Sequence, residues 1–146
     1  MTLYKENNYL KKLFSEPYHV VNLLFIVVIL FVFAYFGIFS PEKNNYPVVC
    51  LHEKLTGQPC ISCGLSHGFS LIMRGKIDEA KQWNPYAFRV FLFFVAQFIF
   101  RIKFTIISIK QPDIRKQLII YDSIASLLVF LISFLPFMTN IVKISF

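Results

Sequence analysis

Residue types that soluble enzymes rely on are scarce in this 146-residue sequence, with 8 acidic residues, 5 glycines and 3 cysteines. It has no glycine-rich phosphate-binding loop, no Ser, His and Asp in an order and spacing typical of a catalytic triad, and no paired carboxylates within an apolar run. These absences argue against nucleotide hydrolysis, serine hydrolysis and carboxylate-driven transport, and no catalytic residue is assigned. Internal repeats and low-complexity tracts are also missing, so we interpret residues 1–146 as a single domain.

Apolar residues are abundant instead. They make up 56% of the chain, including 18 phenylalanines, whereas soluble domains are about 45–50% apolar. The formal net charge of +7 would suggest nucleic acid in a soluble protein. Here the basic residues flank apolar runs, so we expect contact with anionic lipid head groups and no nucleic acid partner.

Three apolar runs are long enough to cross a bilayer, which takes about 20 residues, and they predict transmembrane helices at 18–39, 85–106 and 118–138. The first run carries no charge and exceeds the length of a signal-peptide core. It also lacks a small-x-small cleavage site before Pro41, so we expect an uncleaved helix. His19 and Asn22 stand at its start, where head groups would solvate them.

The second and third runs contain polar residues that must be shielded from the lipid hydrocarbon. In the second, Arg89 and Arg101 are expected to snorkel to the two interfaces, and Gln97 to pack against a neighbouring helix. In the third, Asp122 lies one turn inside the start. We expect it at the interface, stabilised by the helix dipole or by a basic neighbour such as Arg115 or Lys103.

The distribution of Lys and Arg predicts the orientation. The first 17 residues carry three and residues 101–117 carry five, whereas the segment 40–84 carries five over 45 residues. The denser short segments face the cytoplasm by the positive-inside rule. This places the N-terminus inside and the loop 40–84 on the non-cytoplasmic side of a bacterial inner membrane, in a multi-pass protein.

That loop holds most of the chemical information. All three cysteines, Cys50, Cys60 and Cys63, fall within it. Two short amphipathic helices are predicted after them, on the membrane surface. Small residues and breakers punctuate the loop, and we expect them to form its turns: Thr56-Gly57, Cys63-Gly64, Arg74-Gly75 and Asn84-Pro85.

The loop resembles the bacterial membrane proteins grouped as domain of unknown function 2752. The shared pattern is Cys, then Thr-Gly-x-x-Cys-x-x-Cys-Gly, then Gly, Ala and Asn-Pro, carried here by Cys50, Thr56, Gly57, Cys60, Cys63, Gly64, Gly75, Ala80, Asn84 and Pro85. The family usually has Pro at positions 51 and 61 and Thr-Arg at 66–67, where this chain has Leu51, Ile61 and Ser66-His67. The resemblance implies a small membrane protein without an assigned activity.

The cysteines admit three interpretations. Thiols outside the inner membrane tend to oxidise, so Cys50 could pair with Cys60 or Cys63 in a structural disulfide. The spacing of Cys60, Cys63 and His67 also fits a tetrahedral zinc site that Cys50 would complete, with His52 as the alternative nitrogen ligand. Finally, a Cys-x-x-Cys pair at a helix start favours thiolate and redox chemistry, although the thioredoxin-like setting is missing.

The leading hypothesis is a non-enzymatic accessory or assembly subunit without a cofactor. Its cysteine-stapled loop would dock on another membrane protein, on a second copy or on lipid head groups. The alternative is a zinc-binding or thiol-redox membrane protein that uses Cys60 and Cys63.

Overall fold

The computed structural model describes residues 14–38 and 62–144, and within these ranges the chain is helical with no β-strand. The described elements are the helices α1 Pro17–Ile38, α2 Leu65–Met73, α3 Ile77–Trp83, α4 Ala87–Lys110 and α5 Arg115–Ile144, with a 3₁₀ turn at Pro112–Ile114. The predicted all-α architecture, with three long helices and two short ones, is confirmed.

The three long helices are the membrane-crossing elements. Pro17–Ile38, Ala87–Lys110 and Pro112–Phe137 are each long and apolar enough to span a bilayer. The 22 residues of α1 reach about 33 Å at 1.5 Å per residue, close to the thickness of the hydrocarbon core. Large apolar side chains on these helices stay exposed, among them Leu24, Phe31, Ile99, Ile124 and Ile132, as a lipid-facing surface requires.

The connection between α4 and α5 is tighter than predicted. The second long helix continues four residues past position 106, to Lys110, and the third begins at Arg115 rather than at 118. The Gln111 amide still donates to the Ile107 carbonyl, at 2.8 Å. Pro112 then opens the 3₁₀ turn, where its missing N–H costs nothing. A single turn thus replaces the predicted loop.

The first short helix is part of the core as well as of the loop. Five consecutive residues of α2, from Gly68 to Ile72, are buried, so nearly the whole circumference of this part of the helix is covered, by α1, α3 and α4. The Phe69 ring meets Phe36 of α1 edge-on at 5.0 Å between centroids, and Phe91 of α4 at 5.7 Å. This packing fixes the end of the cysteine loop relative to two membrane helices.

Candidate functional site

The cysteine loop joins the helices through a tight contact at Gly64. Gly64 has φ of +82°, which favours glycine because it has no Cβ. A Cβ added there would lie 2.6 Å from the Trp83 carbonyl oxygen, so both backbone conformation and space require glycine. Cys63, directly before it, is half-buried, and α2 begins at the following residue, Leu65.

Asn84 fastens the Cys63 backbone. Its Nδ2 donates to the Cys63 carbonyl at 2.9 Å, while its Oδ1 accepts from the Tyr86 amide at 2.8 Å. The side chain is nearly inaccessible, at 3% exposure. Pro85, which follows, cannot donate a backbone hydrogen bond, so the chain turns here from α3 into α4. The predicted Asn-Pro stop is therefore also a clamp on the cysteine segment.

A close helix contact supports this clamp. Gly68 of α2 faces α4, and a Cβ placed on it would lie 2.5 Å from the Ala87 Cβ. Ala80 of α3 and Ala87 are both 0% exposed. Small residues on α2, α3 and α4 thus let the three backbones approach closely. We call residues 63–86, which the three helices hold together, the platform.

The end of α2 is tied to α1. Gly75, at φ +77°, donates to the Ile72 carbonyl, and the Lys76 amide donates to the Leu71 carbonyl, both at 2.9 Å. These two bonds form a Schellman motif. Arg74 donates to the Gly37 carbonyl at 3.3 Å, at the C-terminal end of α1. A cation there complements the helix dipole.

His67 of α2 lies against Trp83 of α3. The two rings stack with 4.3 Å between centroids and 13° between planes. Within residues 14–38 and 62–144 no group of three or more His, Cys, Asp or Glu side chains is arranged to hold a metal ion. Cys50, Thr56, Gly57 and Cys60 lie outside the described residues, so the disulfide and zinc hypotheses stay predictions.

A second polar site, at the other end of the helix bundle, was missed by sequence reasoning. Arg101 of α4 donates from Nη1 to Asp122 Oδ2 at 2.7 Å and to Asn22 Oδ1 at 2.9 Å. From Nη2 it donates to Gln97 Oε1 at 3.1 Å and to Ser126 Oγ at 2.5 Å. One guanidinium therefore connects all three membrane helices.

Further hydrogen bonds extend this site towards the start of α1. The Tyr18 hydroxyl donates to Asp122 at 2.7 Å, and Asn22 donates to Thr105 at 3.1 Å. His19 Nε2 and Ser108 Oγ lie 3.1 Å apart. We call the whole group the polar cluster, formed by Tyr18, His19, Asn22, Gln97, Arg101, Thr105, Ser108, Asp122 and Ser126.

The polar cluster corrects three predictions. His19 and Asn22 are buried, at 1% and 0% exposure, and are not solvated by head groups. Arg101 pairs with Asp122 inside the bundle instead of snorkelling. Arg115 pairs with Glu16 at 2.6 Å, so it is not the partner of Asp122. The prediction that Gln97 packs on a neighbouring helix is confirmed, since its Nε2 lies 3.5 Å from the Ser126 carbonyl of α5.

Comparison with known proteins supports the resemblance. Residues 50–98 match the family described as protein of unknown function (DUF2752). The match covers 49 of 146 residues, from the first cysteine through the platform into α4. Searches of curated proteins and of solved structures found no match. The chain is thus a three-span, membrane-type helical protein similar to this family.

Proposed function

We propose that the chain is a non-enzymatic accessory subunit of the bacterial inner membrane, whose outward cysteine loop docks on a partner membrane protein. The observation that carries the proposal is the clamp from Asn84 to the Cys63 carbonyl. It holds Cys63, at the end of the cysteine loop, on a packed platform, so this segment is presented in a defined position. Presenting a segment in this way lowers the entropy lost on binding.

The exposed side of the platform supports docking. Met73, Ile77 and Trp83 are 42%, 38% and 46% exposed, close in sequence to the clamped segment. Tryptophan and methionine are enriched at protein interfaces. Around them, Lys76 pairs with Glu79 and Lys81 with Asp78, which leaves apolar contact area bordered by neutralised charge.

The polar cluster supports a structural rather than a catalytic use of the membrane helices. The guanidinium of Arg101 is bonded to carboxylate, amide and hydroxyl oxygens of the chain itself. A charge satisfied in this way stabilises one arrangement of the helices.

A photocrosslinking amino acid at position 82, on the exposed side of α3, tests the proposal in intact cells. We expect it to capture one membrane protein, identified by mass spectrometry, and to lose that partner when Asn84→Ala loosens the clamp. A probe at Ile120, 58% exposed at the other end of the molecule, serves as control. Adducts to lipid alone, or the same proteins from both positions, would contradict docking through the platform.

A zinc or thiol-redox function is the second candidate. The observation that favours it is the position of half-buried Cys63 just before the N-terminus of α2, where the helix dipole stabilises a thiolate. Metal analysis after mild purification tests the zinc version. If the chain binds about one zinc ion and Cys63→Ser abolishes the binding, a zinc function is favoured over docking without a metal.

A further inference from the structure

An apolar groove runs between α4 and α5 on the outside of the helix bundle. Its volume is about 560 Å³, within the range of roughly 300–1,000 Å³ typical of small-molecule sites. Leu92 and Ile99 of α4 and Val129 and Ile132 of α5 line it. Ala96 lies in the middle of its α4 wall, where its small side chain leaves room.

Arg89 stands at one end of this groove. It is the third residue of α4 and is exposed, which places it at the end of the membrane span nearer the platform. No other residue within 14–38 or 62–144 forms an ion pair or hydrogen bond with its side chain. A guanidinium offers several parallel donors and matches the oxygens of a phosphate group.

We infer that this groove binds one anionic phospholipid, with an acyl chain along its apolar walls and the phosphate on Arg89. The occupant follows from the arrangement of charge. A cation that lies at the end of a bilayer-spanning helix meets the head-group layer, where anionic lipid is the available partner. Below that level the groove offers apolar surface along about ten residues of α4, from Arg89 to Ile99.

A helix from a second copy fits the groove less well. Such a helix would have to bring a carboxylate to Arg89. The described acidic residues on this side, Asp78 and Glu79, already pair with Lys81 and Lys76. Of those on the opposite side, Glu16 and Asp122 pair with Arg115 and Arg101, and Asp113 lies in the turn after α4, at the far end of that helix from Arg89.

Native mass spectrometry of the full chain, released from mild detergent, tests the inference with phosphatidylglycerol and phosphatidylcholine added in equal amounts. We expect the protein to retain phosphatidylglycerol preferentially. Arg89→Gln should reduce that retention about fivefold, as the loss of one basic residue near a membrane surface implies. Arg89→Lys should keep most of it.

Two further variants separate the site from general charge and from folding. Lys81→Gln removes the same charge from the same side of the protein and should leave retention unchanged. Ala96→Phe keeps every charge but fills the groove, and should reduce retention as Arg89→Gln does. Thermal unfolding of each variant in detergent shows whether it is folded. If Arg89→Gln does not fold, the comparison of Arg89→Lys with the unaltered chain tests the site instead.

Three outcomes would overturn the site. Equal retention of the two lipids by the unaltered chain would show that the groove does not select an anion. Equal losses in Arg89→Gln and Lys81→Gln would reduce the effect to net charge. A dimer that Ala96→Phe converts to monomer, without change in lipid retention, would assign the groove to a second copy of the chain.

Discussion

The carboxylate of Asp122 and the guanidinium of Arg101 lie 2.7 Å apart, on neighbouring membrane helices, with side-chain exposures of 2% and 13%. The Arg101 guanidinium also lies 5.6 Å from the Phe25 ring centroid of α1, within reach of a cation–π interaction. This pair is the charged centre of the polar cluster. Through Arg101 it links α4 to α5 and, by the Asn22 hydrogen bond, to α1, so it constrains how the three long helices are arranged.

Removing one member of this pair should destabilise the protein strongly. Asp122→Ala leaves Arg101 buried without its counter-charge, so we expect the unfolding free energy to fall by about 3–5 kcal/mol. Replacing both, as Arg101→Met with Asp122→Leu, should cost much less than the two single changes together. Unfolding in detergent by SDS titration measures all three variants.

The pair Glu16–Arg115 provides the matched control, because Glu16 is 38% exposed. Glu16→Gln should cost only about 0–1 kcal/mol. Equal losses from Glu16→Gln and Asp122→Ala would contradict the burial of the Arg101–Asp122 pair.

The polar cluster could have been recognised from its spacing. Gln97, Arg101, Thr105 and Ser108 recur at intervals of four, four and three residues, which places them on one face of a helix. Considered alone, Arg101 ends the most apolar stretch of its run, which favours a position at the membrane interface. Which residue would pair with Asp122 depends on how α4 and α5 align, and the sequence alone does not determine this alignment.

The membrane spans and the short helices could be predicted because they do not depend on how helices align with one another. Each rests on a continuous local signal, an apolar run or a Gly or Pro boundary such as Arg74-Gly75 and Asn84-Pro85. The packing of α2 into the core was not predicted, because its amphipathic pattern fits a membrane surface and a protein surface equally well. Only the structure shows that α2 packs on protein, through the close approach of Gly68 to Ala87 of α4.

Gly68→Ala should destabilise the platform. The new methyl group would lie 2.5 Å from the Ala87 Cβ, and overpacking of this kind costs about 1–3 kcal/mol. Gly37→Ala is the control, because the nearest atom to its added Cβ is the flexible end of Met73, at 3.8 Å. We expect the midpoint temperature of thermal unfolding to fall for Gly68→Ala and to change little for Gly37→Ala. A similar small change in both would mean that α2 and α4 can separate freely.

Asn84→Asp should loosen the cysteine segment while keeping its other bond. The carboxylate can still accept from the Tyr86 amide but cannot donate to the Cys63 carbonyl. Hydrogen exchange should rise around residues 62–65, and maleimide should label Cys63 faster in a chain where Cys50 and Cys60 are serine. Unchanged labelling would show that the bond from Asn84 does not restrain Cys63.

The disulfide hypothesis predicts one free thiol. Protein purified without reductant should take up one alkyl group per chain, and three after reduction, as read by intact mass. Because an oxidising compartment is required, the same protein prepared under reducing conditions should take up three from the start. Three free thiols without reductant would exclude the disulfide and leave the zinc or free-thiol alternatives.

The predicted orientation can be tested through Cys63. A membrane-impermeant maleimide should label this half-buried thiol from outside the inner membrane, in cells whose outer barrier is opened and whose loop is reduced. A cysteine placed at Lys110, at the opposite end of α4, should be labelled only after the inner membrane is broken. The reverse pattern would invert the topology.

The bonding of Arg101 also constrains how the chain enters the membrane. A charged residue at the centre of an isolated helix costs about 2.5–3.5 kcal/mol in lipid, so Arg101 offsets part of the insertion free energy that the apolar residues of α4 supply. Asp122 arrives only with α5, 21 residues later in the chain. The second helix therefore gains its final packing only after the third is made, and truncation between them should leave a chain that α1 still anchors but whose α4 is poorly packed and more readily degraded.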